Sequence, residues 1–282
     1  MGKIVRATSL HTHSRYCDGE GDIEDYIRAA LDAGLPAFGA SAHMPVPWPT
    51  RYAMPLDALP AYAEDVRALG EKYRDQIEVY LGLELDYRPG IEGFAAERLA
   101  PLAPDYLIGS VHYIGELDGA PWSFEHSAQT FADGFERLYD GDARRLAEDY
   151  YALVQGAACV PGVVIVGHMD RIKLYNADNR FFDDAAPWYT EIVDATLADL
   201  AALGVVVELN TAGWRRDCRS PFPAPWIVRR CAERGIPMTL SADAHTPAQV
   251  AFRFAEGADV LRAAGHDALA VLRGGAWTQE AL

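Results

Sequence analysis

Seven short apolar runs, separated by longer stretches of helical pattern, constrain this 282-residue chain more than any other feature. They occupy residues 4–10, 37–40, 78–85, 106–111, 163–166, 205–209 and 237–240. Several are rich in Val and Ile and nearly continuous, as strands buried on both faces must be. The stretches between them read as amphipathic helices at 23–31, 57–73, 131–155, 188–203, 225–234 and 247–264. Asp22 stands where an N-cap belongs and Gly34 where a helix stops, and Gly204 and Gly235 repeat that stop before later runs. Strand and helix in alternation favour a parallel sheet, and seven such units favour a closed or nearly closed barrel. The stretch 115–127 has no clear period and reads as an irregular active-site loop.

Half of the residues are hydrophobic, enough for one large core, and no linker or repeat divides the chain. Residues 1–282 therefore read as one domain. No charged-then-apolar leader opens the sequence, and no apolar run reaches the roughly 18 residues of a membrane span. The expectation is a cytoplasmic protein without a membrane partner. A formal charge of −16 argues against nucleic acid as a partner, since binding there needs a basic surface. The same charge looks wrong for an enzyme of anionic phosphates, unless several carboxylates hold cations. Cys17, Cys159, Cys218 and Cys231 form no CxxC pair and read as reduced thiols, with only Cys17 close to candidate site residues.

Six of the eight histidines come at or soon after the ends of apolar runs. His11 and His13 follow the first, His43 the second, His112 the fourth, His168 the fifth and His245 the last. Asp18, Glu84 and Asp243 share that placement. In an α/β barrel the C-terminal strand ends converge on one face, so residues distant in sequence meet in one pocket. Neutral imidazole and carboxylate are ligands for zinc, iron or manganese. His11 and His13, two apart on a strand, point the same way and can reach one ion. Asp243 and His245 have the same spacing, and Glu84 has two oxygens with which to bridge two ions. One strand-end histidine is ordinary; six with three carboxylates are hard to explain as packing. His126 and His266 lack a preceding strand and read as ordinary polar residues.

These motifs make the chain resemble the polymerase and histidinol phosphatase (PHP) family, and within it the histidinol-phosphatase branch. The matching segments are His11-Thr12-His13, Tyr16-Cys17-Asp18-Gly19, Ser41-Ala42-His43-Met44-Pro45 and Gly82-Leu83-Glu84-Leu85-Asp86-Tyr87. They continue through Gly109-Ser110-Val111-His112, Gly167-His168-Met169-Asp170, Glu208-Leu209-Asn210-Thr211 and Asp243-Ala244-His245. The resemblance implies a distorted (β/α)7 TIM-like barrel of the α/β class, with a trinuclear metal site at the C-terminal strand ends. It implies three divalent ions: one on His11, His13, Glu84 and Asp243, a second sharing Glu84 with His112 and His168, and a third on Asp18, His43 and His245. Ala42 stands where relatives often carry an Asp suited to orienting the imidazole, which implies a weaker hold on the third ion.

The expected activity is metal-dependent hydrolysis of a small-molecule phosphomonoester. The branch implies L-histidinol phosphate as substrate and histidine biosynthesis as setting. Asp18, Glu84, Asp243 and His245 are the expected catalytic residues. Arg171, Lys173, Arg215 and Arg216 are candidates for gripping phosphate, with solvated surface charge as the other reading of each and Arg better suited to bidentate contact; Glu208 is a candidate for meeting a substrate amine or for a buried structural carboxylate. Two other readings stand beside this one: a phosphoesterase for another small monoester or nucleotide, and a metal-stabilised module without catalysis.

Overall fold

A computed structural model describes residues 7–282. Residues 4–6 of the first apolar run lie outside that range. In chain order the elements are α1 (Ile23–Asp32), β1 (Ala37–Ala40), α2 (Leu59–Tyr73), β2 (Glu78–Asp86), α3 (Ile91–Leu99) and β3 (Tyr106–Ser110). A hairpin of β4 (Tyr113–Leu117) and β5 (Ala120–Ser123) follows, then α4 (Ala128–Tyr139), α5 (Ala143–Ala158) and β6 (Val163–Val166). The chain ends with α6 (Pro187–Leu203), β7 (Val206–Asn210), α7 (Pro225–Glu233), β8 (Met238–Ser241), α8 (Phe254–Ala264), β9 (Ala268–Arg273) and β10 (Ala276–Ala281).

Among the described residues β1, β2, β3, β6, β7 and β8 form one parallel sheet in that order, as crossover helices require. The sheet curls, and residues 7–13 span the gap between its edges. Ser9 bridges Phe38 of β1, and Thr12 bridges Ala244 just beyond β8. Backbone bonds from Gly39 N to Ser9 O (2.8 Å) and from His13 N to Ala244 O (2.8 Å) tie the segment to both sides. The first run is thus a seventh stave, held by single bridges rather than a regular ladder.

Inside the ring Leu10, Tyr106, Ile108, Ile165 and Leu272 share a small core, distinct from the larger one between sheet and helices. Tyr106 crosses this interior and donates its hydroxyl to Leu10 O at 2.5 Å. Its ring fits because β1 and β2 present glycine there: a Cβ on Gly39 or Gly82 would lie 2.2 Å from a Tyr106 atom. The β9–β10 hairpin contributes Leu272 and Trp277 to this inner core, and Gly274 N and Arg273 Nε donate to Glu78 at the start of β2 (2.7 and 2.9 Å). The active-site end of the strands lies opposite.

Six of the seven runs became the sheet strands and the first its closing stave, but the connections differ from the expectation in places. The stretch 115–127 is irregular only over its last four residues: Asp118-Gly119, both with positive φ (54° and 77°), turn β4 into β5 before it. The helix expected over 131–155 is two, broken where Asp140 and Gly141 take positive φ (51° and 74°). The helix expected from 247 begins at Phe254, after a short 3-10 turn over Pro247–Gln249. α3 and the C-terminal hairpin were not expected at all.

Candidate metal centre

The candidate residues come from six of the seven staves. His11 and His13 lie on the closing stave, Asp18 in the turn after it, His43 just past β1, Glu84 within β2 and His112 just past β3. His168 follows β6, and Asp243 and His245 follow β8. Their side chains converge into four overlapping groups whose ligand atoms lie within 4.8 Å of one another: His13, Asp18, His43 and His245; His11, His13 and Asp243; His11, Glu84 and His168; His43, Glu84 and His112. All nine expected residues are included.

Glu84 sits at the middle. Its Oε1 is 3.3 Å from His11 Nε2, 3.2 Å from His168 Nε2 and 3.5 Å from His112 Nε2; its Oε2 is 3.0 Å from His43 Nδ1 and 3.5 Å from His13 Nε2. Asp243 Oδ1 lies 3.2 Å from His13 Nε2 and 3.7 Å from His11 Nε2. Asp18 faces His245 Nε2 at 3.4 Å and His43 Nε2 at 3.9 Å. Asp18 and His245 are the most open of the nine, their side chains 30% and 24% exposed, and both line the cleft above.

This donor set fits cations better than it fits itself. His11 Nε2, His13 Nε2, His43 Nδ1 and Glu84 Oε2 are buried without a hydrogen-bond partner, although they point at one another. Buried polar atoms are rarely left so. His112 Nε2 and His168 Nε2 face each other at 3.2 Å, and the His13 ring lies 4.3 Å from that of His245 and 4.4 Å from that of His43. Without a cation, protonation is uneven. Burial and the neighbouring His245 and His43 pull His13 down to about 4. Burial opposes charge on His11 too, but Glu208, Glu84 and Asp243 outweigh it and hold its pKa well above the ordinary value. His43 is raised likewise, by Glu84 and Asp86 against burial.

Two of the candidates occupy backbone conformations that non-glycine residues seldom adopt: His168 with φ 20° and Asp243 with φ 48°. Such geometry clusters at functional sites, where the surroundings hold it in place. Gly167 lets the chain pass over Ser110, whose Oγ would lie 2.2 Å from an added Cβ.

Above the cluster opens a cleft of about 270 Å³ lined by Asp18, His43, Glu84, His112, Asp243 and His245, and on its walls by Tyr52, Ser123, Glu125, His126, Leu174, Arg171 and Arg216. A model of the PHP domain matches residues 9–212 of this chain. The chain belongs to the PHP family. The "Probable histidinol-phosphatase" of Deinococcus radiodurans is 37% identical over 258 residues, covering 90% of this chain and 92% of that protein. The histidinol-phosphatase of Bacillus subtilis is 24% identical, over 86% of this chain and 95% of its own. Among solved structures, the histidinol phosphate phosphatase of Lactococcus lactis, complexed with Zn, L-histidinol and phosphate, superposes with a TM-score of 0.76 at 19% identity, over 97% and 99% of the two chains. The "putative histidinol phosphatase hisK" of Listeria monocytogenes gives a TM-score of 0.79 at 21% identity, over 88% of this chain and 99% of that one. These relatives place this PHP domain in the histidinol-phosphatase branch.

The PHP barrel treats the expected substrate residues unequally. Arg171 lines the cleft, but its guanidinium is already paired, Nη1 with Asp243 Oδ2 at 2.9 Å and Nη2 with Glu125 Oε2 at 2.6 Å. Arg216 lines the cleft, and Arg215 an adjoining hollow, where its Nη2 donates to the carbonyls of Ala242 (2.8 Å) and Asp243 (3.2 Å). Lys173 is misassigned: it is buried and turned away, donating to Pro221 O and Asp170 Oδ2, each at 2.7 Å. Of the two roles open to Glu208, the structure favours the buried carboxylate over the amine contact, because it is sealed beneath His11 rather than open to the cleft. His126, read as an ordinary polar residue, stands on the cleft wall just after the β4–β5 hairpin. His266 keeps the role expected of it, bonding Val228 O at 3.1 Å. The sequence reading missed Glu125 and Asp86. Asp86 Oδ1 contacts His112 Nδ1 at 2.5 Å and lies 3.5 Å from His43 Nδ1, so a carboxylate stands near His43 although Ala42 supplies none. Its place two residues after Glu84, on the same strand face, was the available signal. Among the described residues the four cysteines are free, with Cys17 Sγ 3.5 Å from His13 Nδ1, and no helix is long and apolar enough to cross a membrane.

Proposed function

We propose that this chain is a metal-dependent histidinol-phosphatase that hydrolyses L-histidinol phosphate to L-histidinol and phosphate. The observation that carries the reading is the convergence of six imidazoles and three carboxylates, with orphaned donor atoms, at the floor of a small cleft. The 37% identity to a protein named as a probable histidinol-phosphatase, and the zinc, histidinol and phosphate held by a protein of the same fold, support it.

The proposal includes three divalent ions, zinc, manganese or iron. His11, His13, Glu84 and Asp243 would hold one, Glu84, His112 and His168 a second, and Asp18, His43 and His245 a third. Ions held there would supply Lewis acidity, making water acidic enough to attack near neutral pH and offsetting charge on a phosphoryl group. The chain's own residues do the rest. Glu84 keeps a negative charge at the centre of the cluster. Asp18 and His245, the two most open to the cleft, stand where a proton can pass to the leaving alcohol. Arg216 can meet phosphate oxygens, and Arg171 is held by Glu125 in position to assist. Tyr52, Ser123, Glu125 and His126 make a wall that is aromatic, polar and acidic, suited to a small alcohol carrying an amine and an imidazole. Helices, sheet and C-terminal hairpin share a core running from Ala7 to Val271, which supports treating residues 1–282 as one domain.

A phosphatase for another small monoester would use the same floor and differ at that wall. A non-catalytic module would not need Asp18 and His245 open to a cleft. Phosphate release from histidinol phosphate, sugar phosphates and nucleoside monophosphates, with zinc, manganese or iron supplied, separates the three readings. We expect kcat/KM for histidinol phosphate to exceed the others by at least about a hundredfold, near 3 kcal/mol of differential binding. Equal rates across the panel would leave a general phosphomonoesterase, and no turnover with any metal would leave the module.

A further inference from the structure

β7 is the one stave whose end supplies none of the nine candidate ligands. It sends Glu208 inward instead, with no exposed surface. A carboxylate there is costly unless its lone pairs are used, and four donors use them. Oε2 lies 2.9 Å from His11 Nδ1 and accepts from Ser241 Oγ at 2.6 Å; Oε1 accepts from His168 N at 2.6 Å and from Asn210 Nδ2 at 2.9 Å.

We infer that Glu208 is a positioning residue for the metal centre, fixing His11 in the tautomer whose bare Nε2 faces Glu84 and Asp243. The inference rests on the metal-centre reading above. An ionised carboxylate can only accept, so the atom opposite it must donate. His11 Nδ1 therefore carries the proton, and in the neutral ring the lone pair falls to Nε2. That atom is buried, without a hydrogen-bond partner, 3.3 Å from Glu84 Oε1 and 3.7 Å from Asp243 Oδ1. The other oxygen grips the peptide N–H of His168, at the residue with φ 20°, whose Nε2 lies 3.2 Å from Glu84 Oε1. One carboxylate so sets two imidazoles on the same oxygen of Glu84.

The charge matters as well as the shape. A glutamine at 208 with its carbonyl toward His168 N would turn its NH2 toward His11 Nδ1. Nδ1 would then accept, and the ring proton would move to Nε2, where a cation has to sit. The test is 15N NMR of histidine-labelled, zinc-loaded full-length protein, with the His11 signals identified by their loss in His11→Gln. Zinc affinity is measured alongside by chelator competition. We expect wild type to show His11 protonated on Nδ1. In Glu208→Gln that signal should be lost or moved, and one zinc should bind about 10–100-fold more weakly. A wild-type His11 protonated on Nε2 overturns the inference, and that result needs no variant to fold. Weaker zinc with an unchanged tautomer also overturns it, since Glu208 would then serve packing alone, and so does an unchanged affinity. A wild type that takes up no zinc would instead sink the metal-centre reading itself.

Discussion

At the scale of single residues, distance along the chain was a poor guide to role, and direction a good one. Arg171 and Lys173 are two apart on a 3-10 turn, where successive side chains point in different directions. Arg171 reaches the cleft, and Lys173 drops to Asp170. Lys173→Ala should therefore destabilise the protein by about 3–5 kcal/mol, by leaving Asp170 buried without its cation and with only Ala224 N donating to it, with KM unchanged in the protein that folds. Arg216→Ala should do the reverse, raising KM roughly tenfold or more with little change in melting temperature. Melting curves and steady-state kinetics on both variants check this, and a KM change confined to Lys173→Ala would restore it to the substrate. The nine candidate ligands were legible because they gather at or shortly after the ends of apolar runs. Glu208 stayed open between a substrate contact and a buried carboxylate, because a carboxylate two residues from a strand end looks the same in sequence whether it turns to the cleft or beneath a neighbour. Only the register of β7 against β8, with Glu208 opposite Thr239, places it inside.

At the scale of elements, periodicity identified the sheet strands and missed what lacked it. α3 is short, contains Gly93 and follows Pro89-Gly90, so no helical pattern stands out. Both hairpins left a signal that went unread: a two-residue turn, Asp118-Gly119 or Gly274-Gly275, between residues that pair. The first omission also hid His126 and Glu125, which the β4–β5 hairpin brings to the cleft. Packing inside the ring is more exacting than pattern. A Cβ on Gly82 would meet the Tyr106 ring at 2.2 Å, and a buried ring crossing the barrel cannot swing aside as a flexible chain end can. Gly82→Ala should cost about 1–3 kcal/mol, lowering the melting temperature by several degrees. Replacing exposed Gly93, where an added Cβ meets nothing within 4 Å, should not destabilise, because alanine favours a helix. Equal melting temperatures for wild type and Gly82→Ala would mean that the interior is looser than described.

At the scale of the whole molecule, the formal charge of −16 and an anionic substrate are reconciled if cations gather at the cleft floor. The cluster's protonation makes that measurable. His11 and His43 are raised above the ordinary histidine range by the carboxylates around them, despite burial, and His112 is raised by Asp86 and Glu125. The metal-free cluster then holds protons at neutral pH that ions must displace. Zinc affinity should rise with pH through the neutral range, and loading should release more than one proton per chain into weakly buffered solution. Uptake without proton release would contradict those raised values. If catalysis depends on several ions held by these nine residues, activity must follow metal occupancy. Metal-stripped protein is given zinc in steps and assayed on histidinol phosphate at each step. We expect no turnover at zero zinc and a rise that levels off only near about three equivalents per chain. Full activity in the stripped protein, or a plateau at or below about one equivalent, would contradict it.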